Sequence, residues 1–84
     1  MNINRLEETI DLMRSDNYKE RFKAEYYQLK IRRDKLVIML NKWDNGTLAF
    51  TPTVSREIYD EQLYFMNGYL RVLQSRAVIE EVTL

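Results

Sequence analysis

The first run of apolar residues in this chain recurs every three or four positions, which places its members on one face of a helix. Asn4 and Glu7 have the spacing of a capping box at the start of such a helix. The pattern therefore predicts a short first helix over about residues 3–14. Its apolar residues are Ile3, Leu6, Ile10 and Met13.

A second and longer run repeats every seven residues. Helix-start residues precede it, since Asn17 is followed three positions later by Glu20. Asn45 and Gly46 end it, because both residues tolerate the left-handed conformation of a helix stop. These features predict a second helix over about 17–44. Its seam positions are Phe22, Tyr26, Leu29, Arg33, Leu36, Leu40 and Trp43.

A third run follows a predicted loop over 45–52, in which Leu48 and Phe50 are expected to pack against the helix ends. Pro52 suits the first turn of a helix, so a third helix is predicted over about 53–82. Two long helices joined by so short a loop should lie antiparallel, as a hairpin. The chain is thus expected to be one all-α domain, 1–84. The third run contains Ile58, Leu63, Met66, Tyr69, Leu70, Leu73 and Ala77.

Both long helices are apolar on more than one face. A helix that packs against one partner needs only one apolar stripe, and large uncovered patches usually mark interfaces. We therefore expect a homo-oligomer, of even order because two-fold contacts are the commonest kind. The alternative is a monomeric three-helix bundle with a few exposed aromatic residues. The additional apolar residues are Tyr27, Ile31 and Ile38 on the second helix and Tyr59, Tyr64, Phe65, Val72 and Val78 on the third.

Composition argues against catalysis. The 84 residues include neither histidine nor cysteine, which removes the usual general base, the thiolate nucleophile and the commonest metal ligands. Neighbouring carboxylates such as Glu80 and Glu81 point about 100° apart on a helix, so solvation is their expected role. We predict a protein that is not an enzyme and needs no cofactor. The lack of a secretory signal or a long apolar run favours the cytoplasm and no membrane contact.

A formal net charge of zero conceals one basic helix. Residues 18–43 carry eight basic and three acidic side chains, a net charge of +5, while both flanking segments are acidic. Zero overall charge disfavours bulk nucleic-acid binding, but interleaved tyrosine and basic residues suit a small anionic ligand with flat rings. Tyr18 lies where free backbone N–H groups attract phosphate, and Arg33 and Lys35 lie further along. Each is equally compatible with packing or with a solvated face.

Two residues of the third helix depart from a simple amphipathic pattern. Gly68 costs roughly 1 kcal/mol relative to alanine inside a helix, so close approach of another helix, or of a ligand, is expected there. Arg76 lies on a largely apolar face. It is either an interfacial salt-bridge partner or an anion ligand.

The spacing of both long helices resembles a known family. The second helix reads Tyr18-x-x-Arg21-Phe22-x-x-Glu25-x-x-x-Leu29, followed by Arg32-x-x-Lys35-Leu36. The third reads Gln62-Leu63-x-x-Met66-x-x-Tyr69-x-x-x-Leu73-x-x-Arg76. Together they resemble the second type of phage anti-CBASS sponge, small proteins that counter a bacterial defence system signalling through cyclic oligonucleotides. The 44–52 loop, with Trp43 and Phe50, is more aromatic than this family's pattern, and Gly68 is not part of that pattern.

The resemblance implies a helical hexamer in the host cytoplasm that sequesters cyclic dinucleotides without cleaving them. It implies that Tyr18 is the aromatic ligand residue and that Lys35, or alternatively Arg33, is the basic one, supplied across a subunit interface. Arg76 matches an arginine that serves a separate cyclic-trinucleotide site. Related Thoeris anti-defence sponges bind signals of the cyclic ADP-ribose type. The alternatives are an oligomerisation or adaptor module without a nucleotide ligand, and a weak nucleic-acid binder.

Overall fold

A computed structural model describes residues 3–84, and it is helical without strands over that range. A 3-10 turn, Leu6–Thr9, leads into the single turn α1, Ile10–Met13. Two long helices follow, α2 over Tyr18–Asp44 and α3 over Arg56–Glu80. The all-helical prediction is therefore confirmed.

The start of α2 is the predicted one. Asn17 is its N-cap, and the side-chain oxygen of Asn17 accepts a hydrogen bond from the backbone N–H of Lys19 at 2.9 Å. Ser15 donates to the carboxylate of Glu20 at 3.0 Å, which ties the preceding turn to the helix. At the other end, Gly46 has φ +77° and follows the Asn45 C-cap, so the predicted stop signal acts as expected.

The first helix differs from the prediction. Arg5, not Asn4, is the N-cap, it has no side-chain capping bond, and the first turn is 3-10 in type. The reason lies at Thr9, which is almost completely buried and whose hydroxyl donates to the carbonyl of Leu6 at 2.7 Å. The same hydroxyl accepts from Gln28 of α2 at 2.9 Å, and this bond fixes the turn on α2.

Helix α3 is shorter than the predicted 53–82. It begins at Arg56, because the residues around Pro52 are used to cross between the helices and Ser55 is still extended. It ends at Glu80, because Glu81 takes the left-handed conformation with φ 58°. The next residue, Val82, then folds back and is buried, with its N–H donating to the carbonyl of Ala77 at 2.8 Å. This is a Schellman-type stop without glycine.

Helices α2 and α3 are antiparallel, as predicted. Side-chain contacts between them run in opposite directions along the two segments, so the start of α2 meets the end of α3. The paired residues are Tyr18 with Glu80, Glu25 with Tyr69, Tyr26 with Gln74, Arg33 with Asn67 and Asp44 with Arg56.

The main core lies where α2 begins and α3 ends. Leu73, with no exposed surface, is at its centre. The N-terminal turn packs on α2, where Ile3 adds to this core. The remaining members of the cluster are Phe22, Tyr26, Tyr27, Leu70, Ala77 and Val82.

The two long helices differ in how much of their second apolar face is covered. On α2, Tyr27 and Ile31 are buried, and Ile38 stays exposed. On α3 most of the second face remains open, since Tyr64, Phe65, Val72 and Val78 are exposed and Tyr59 is half-buried against Trp43. Ile58 and Tyr69 of the main run are exposed as well, as is Ile79.

The overall dimensions agree with incomplete burial. The accessible surface is 6152 Å², whereas a compact monomer of this mass would expose about 5,300 Å². The radius of gyration is 15.0 Å against about 12 Å expected for 84 residues. The single chain is thus an elongated hairpin that leaves one side of α3 uncovered.

Candidate functional site

Two residues that the sequence singled out separately, Tyr18 and Arg76, meet at the end of the hairpin next to the core. Tyr18 is the first residue of α2, and Arg76 lies in the last turns of α3. The guanidinium Nη2 of Arg76 donates to the Tyr18 hydroxyl at 2.8 Å. Antiparallel packing is what joins these positions, which are 58 residues apart in the chain.

A carboxylate completes the cluster. The Tyr18 hydroxyl donates to Oε1 of Glu80 at 2.6 Å, and Nε of Arg76 donates to Oε2 of Glu80 at 3.0 Å. Each of the three side chains therefore contacts the other two. We call Tyr18, Arg76 and Glu80 the end triad.

Aromatic packing orients the end triad. The guanidinium carbon of Arg76 lies 4.9 Å from the centre of the Phe22 ring, within the range of a cation–π contact. The Tyr18 ring meets Phe22 edge to face, with ring centres 6.3 Å apart. Phe22 is almost fully buried, so it forms a rigid floor beneath the two polar side chains.

The upper side of the end triad is open to solvent. Tyr18 is 46% exposed as a residue, and the side chains of Arg76 and Glu80 are 42% and 31% exposed. Lys19 lies beside them, with its ammonium donating to the backbone carbonyl of Glu81 at 3.1 Å. The site thus combines a fixed floor, an accessible tyrosine ring and two cationic side chains, which suits a flat anionic molecule.

Electrostatics within the end triad favour the ionised forms of both charged groups. Hydrogen bonds from Tyr18 and Arg76 hold the pKa of Glu80 below its ordinary value. The hydrogen bond to Glu80 raises the pKa of Arg76 and, for the same reason, that of the Tyr18 hydroxyl. At neutral pH the triad is therefore an ion pair with a neutral tyrosine.

Arg33 lies near the middle of α2, about 22 Å along the helix from Tyr18. Its Nη1 donates to the side-chain oxygen of Asn67 on α3 at 3.2 Å. Its Nε lies 2.9 Å from the carboxylate of Asp34, but this buried nitrogen makes no hydrogen bond of good geometry within residues 3–84. Arg33 therefore faces the inter-helix contact in this chain, away from the end triad.

Lys35 is exposed on a different side of α2, about 26 Å along the helix from Tyr18. It borders a surface depression of about 250 Å³ formed against the N-terminal segment. One copy of the chain thus does not bring Lys35 to Tyr18. The depression is lined by Ile3, Asn4, Lys30, Ile31, Asp34, Lys35 and Ile38.

Two residues of the site were given other roles by the sequence. Glu80 was expected to be solvated, but it holds both Tyr18 and Arg76. The sequence feature that could have indicated this contact is the i,i+4 spacing of Arg76 and Glu80, because residues at that spacing share a helix face. Phe22 was predicted as a core residue, which it is, and its contact with Arg76 depends on a packing angle that periodicity does not define.

The open face of α3 is a second feature that belongs with function. A broad depression of about 550 Å³ surrounds Gly68. A methyl group built at Gly68 would have no neighbouring atom within 4 Å among the described residues, so nothing in this chain explains the glycine by close approach. Tyr64 and Phe65 stand beside it, 73% and 64% exposed. The other lining residues are Asn67, Tyr69, Arg71 and Val72.

The loop end of the hairpin is closed by a second arginine. Arg56 pairs with both oxygens of Asp44, at 2.5 and 3.1 Å, and its Nε donates to Asp60 at 2.9 Å. It also lies over the Trp43 ring, 5.5 Å from the ring centre. Hydrogen bonds to the two carboxylates raise the pKa of Arg56. Within the loop, Leu48 is half-buried, whereas Phe50 is 56% exposed and does not pack down as expected.

The described residues offer no group of three or more acidic side chains placed to hold a metal ion. Among residues 3–84, neither long helix has the apolar stretch needed to cross a membrane.

Comparison with known proteins identifies a family. The family model described as Sequestin matches residues 16–79, which is more than half of the chain. Searches of curated proteins and of solved structures gave no match. The matched segment begins just before α2 and ends one residue before Glu80, so it contains Tyr18, Arg33, Lys35 and Arg76. The chain therefore belongs to the Sequestin family.

Proposed function

We propose that this protein is a phage anti-defence sponge that binds cyclic oligonucleotide second messengers in the host cytoplasm and sequesters them without cleavage. The observation that carries the proposal is the convergence of Tyr18 and Arg76 within 2.8 Å at an open, aromatic-floored end of the hairpin. A tyrosine ring stacks on a nucleobase, and an arginine pairs with a phosphate diester. The family name is compatible with sequestration of a ligand.

The proposal includes self-assembly into a hexamer. An elongated single chain with an uncovered α3 face supports association, because contiguous exposed apolar surface usually marks an interface. In the assembly, Lys35 or Arg33 of a neighbouring copy approaches Tyr18. Such a shared pocket would explain why Arg33 and Lys35 lie more than 20 Å from Tyr18 within one chain. Ligands of the CBASS and Thoeris types are both candidates, since each combines flat rings with phosphates.

Sequestration acts by mass action and needs no chemical step. A nanomolar sponge, with a binding free energy of about 12 kcal/mol, removes the signal when it exceeds the signal in number. The test is titration calorimetry with cyclic dinucleotides, a cyclic trinucleotide and cyclic ADP-ribose. We expect at least one of these ligands to bind with nanomolar affinity, and we expect chromatography to recover that ligand intact after the protein is denatured. The proposal would be overturned if no ligand gave a heat of binding, or if the recovered ligand were cleaved.

Single substitutions separate the roles of the proposed ligand residues. Tyr18→Ala should weaken binding through lost stacking, by about 1–3 kcal/mol. Lys35→Ala should weaken binding while the oligomer stays intact. Lys42→Ala is the matched control, because Lys42 is an exposed lysine two turns further along the same helix. Equal effects of the two lysine variants would contradict a specific role for Lys35.

A non-catalytic oligomerisation or adaptor module is the second candidate. The exposed aromatic face of α3 favours it, since that face suits a protein partner as well as a second copy. This candidate predicts a stable oligomer, no nucleotide affinity in the same calorimetry, and a defined protein partner.

A further inference from the structure

The end triad contains its own anion. The two carboxylate oxygens of Glu80 are 2.6 Å from the Tyr18 hydroxyl oxygen and 3.0 Å from Nε of Arg76. Arginine pairs with carboxylates and with phosphates through the same planar arrangement of N–H donors. Glu80 therefore occupies the donors that an incoming phosphate oxygen would need.

We infer that Glu80 is an internal counter-anion, which holds Tyr18 and Arg76 in place without ligand and must leave when a phosphate group binds there. The inference rests on the proposed function for the identity of the larger ligand. It adds that the end triad is one phosphate site, in which Tyr18 and Arg76 serve the same ligand and not the two separate sites that the resemblance implies. It also adds that Glu80 sets the affinity of this site.

The position of Glu80 permits such an exchange. Glu80 is the last residue of α3, and the helix is anchored one turn earlier by the buried Ala77. Its side chain is 31% exposed, so the carboxylate can rotate into water without disturbing the core. Arg76 would stay in place through its contact with the Phe22 ring.

Charge balance supports the direction of the exchange. With Glu80 in place, the end triad has no net charge, and a phosphate diester would meet a neutral site. When the carboxylate leaves, Arg76 and the neighbouring Lys19 present two positive charges beside the start of α2. The dipole at that helix start adds to the attraction. Contrary to the expectation from the sequence, the N–H groups of Lys19 and Glu20 are not free there, because both are bonded to Asn17.

The experiment uses inorganic phosphate as the probe and the Arg76 Nε–H resonance as the readout. Wild type is compared with Glu80→Gln, which removes the charge and keeps the shape, and with Glu80→Asp, which keeps the charge but shortens its reach. Both variants should bind phosphate at least about tenfold more tightly, the factor that one charge-assisted hydrogen bond supplies. Arg76→Ala removes this reporter, so its phosphate affinity is measured by titration calorimetry and should be lost. Circular dichroism checks that each variant is folded.

The matched control is Glu61→Gln, which changes the net charge equally at an exposed position of the same helix. It should leave the phosphate affinity unchanged. Equal gains in Glu61→Gln and Glu80→Gln would overturn the inference, as would an Arg76 resonance that phosphate does not shift in the Glu80 variants.

Cyclic dinucleotide titrations of the same variants separate this inference from the proposed function. Tighter phosphate binding without any cyclic oligonucleotide affinity would refute the sponge and leave the phosphate site standing. Nanomolar nucleotide binding that both Glu80 substitutions leave unchanged would support the sponge and refute the role of Glu80.

Discussion

Substitution of Phe65 by aspartate tests the claim that the open face of α3 is where copies of the chain meet. Phe65 is 64% exposed and packs edge to face against Tyr64, with ring centres 5.4 Å apart. A polar residue at this position should therefore cost the single chain little stability. In an assembly that covers this face, it should be severely disruptive.

The expected magnitude follows from the exposed area. A phenylalanine side chain has about 200 Å² of surface. With 64% of it exposed, about 130 Å² remains for burial by another copy. At about 25 cal/mol per Å², this burial is worth about 3 kcal/mol per copy. Its loss lowers the association constant roughly 100-fold, and the aspartate charge adds a desolvation penalty.

The assay is sedimentation velocity at several micromolar concentrations, supported by native mass spectrometry. Wild type should sediment as an oligomer and Phe65→Asp as a smaller species. Phe50→Asp is the matched control, because Phe50 is also a phenylalanine, is 56% exposed and lies in the inter-helix loop. A monomeric wild type would refute self-association, and equal dissociation of the two variants would refute the assignment to α3.

Three further predictions concern stability and assembly. Glu81→Gly should raise the free energy of unfolding by about 0.5–1 kcal/mol in thermal denaturation, because Glu81 has φ 58°, a conformation that glycine adopts without strain. Glu81→Ala keeps the strained Cβ and should give no such gain. Gly68→Ala should stabilise the dissociated chain by about 1 kcal/mol, because alanine favours a helix more than glycine does and the added methyl meets no atom within 4 Å. If helices of two copies cross at Gly68, the same substitution should weaken the oligomer in sedimentation. Unchanged assembly would place the crossing elsewhere. Hydrogen bonds hold the pKa values of Asp44 and Glu80 below their ordinary values, so the stability that these two carboxylates add is complete above about pH 5 and is lost as the pH falls through the lowered values. Acid titration should therefore give a flat free energy of unfolding from pH 8 to 5 and a decline below pH 4. A loss of stability already near pH 6 would contradict the assignment.

The parts of the fold that the sequence predicted are those encoded by local chemistry. Asn17 caps α2 and Gly46 follows its end because side-chain geometry and glycine freedom act within a few residues. The start of α3 was not predictable in this way, since Pro52 fits a helix start and a loop equally well. Its true start at Arg56 coincides with ion pairs to Asp44, a residue on the other helix.

In the candidate site, too, local features could be predicted from the sequence and contacts between the two helices could not. Tyr18 and Arg76 were identified from residue type and position, but their contact depends on the register of two antiparallel helices. The role of Glu80 depends on that register as well, because its partner Tyr18 is 62 residues away. The open face of α3 was visible only as an excess of apolar residues, since the same excess on α2 is partly covered in the folded chain.

The two ends of the hairpin share one arrangement of side chains, but they differ in how readily an anion could bind there. At each end an arginine lies over an aromatic ring and pairs with carboxylate, Arg56 over Trp43 and Arg76 over Phe22. Arg56 has two carboxylates from two elements, so its end carries excess negative charge and repels an anion. Arg76 has a single carboxylate, and its other partner is the neutral hydroxyl of Tyr18. An anionic ligand that competes for an arginine must displace two fixed charges at the loop end but one terminal side chain at the other, and this difference directs binding to Arg76.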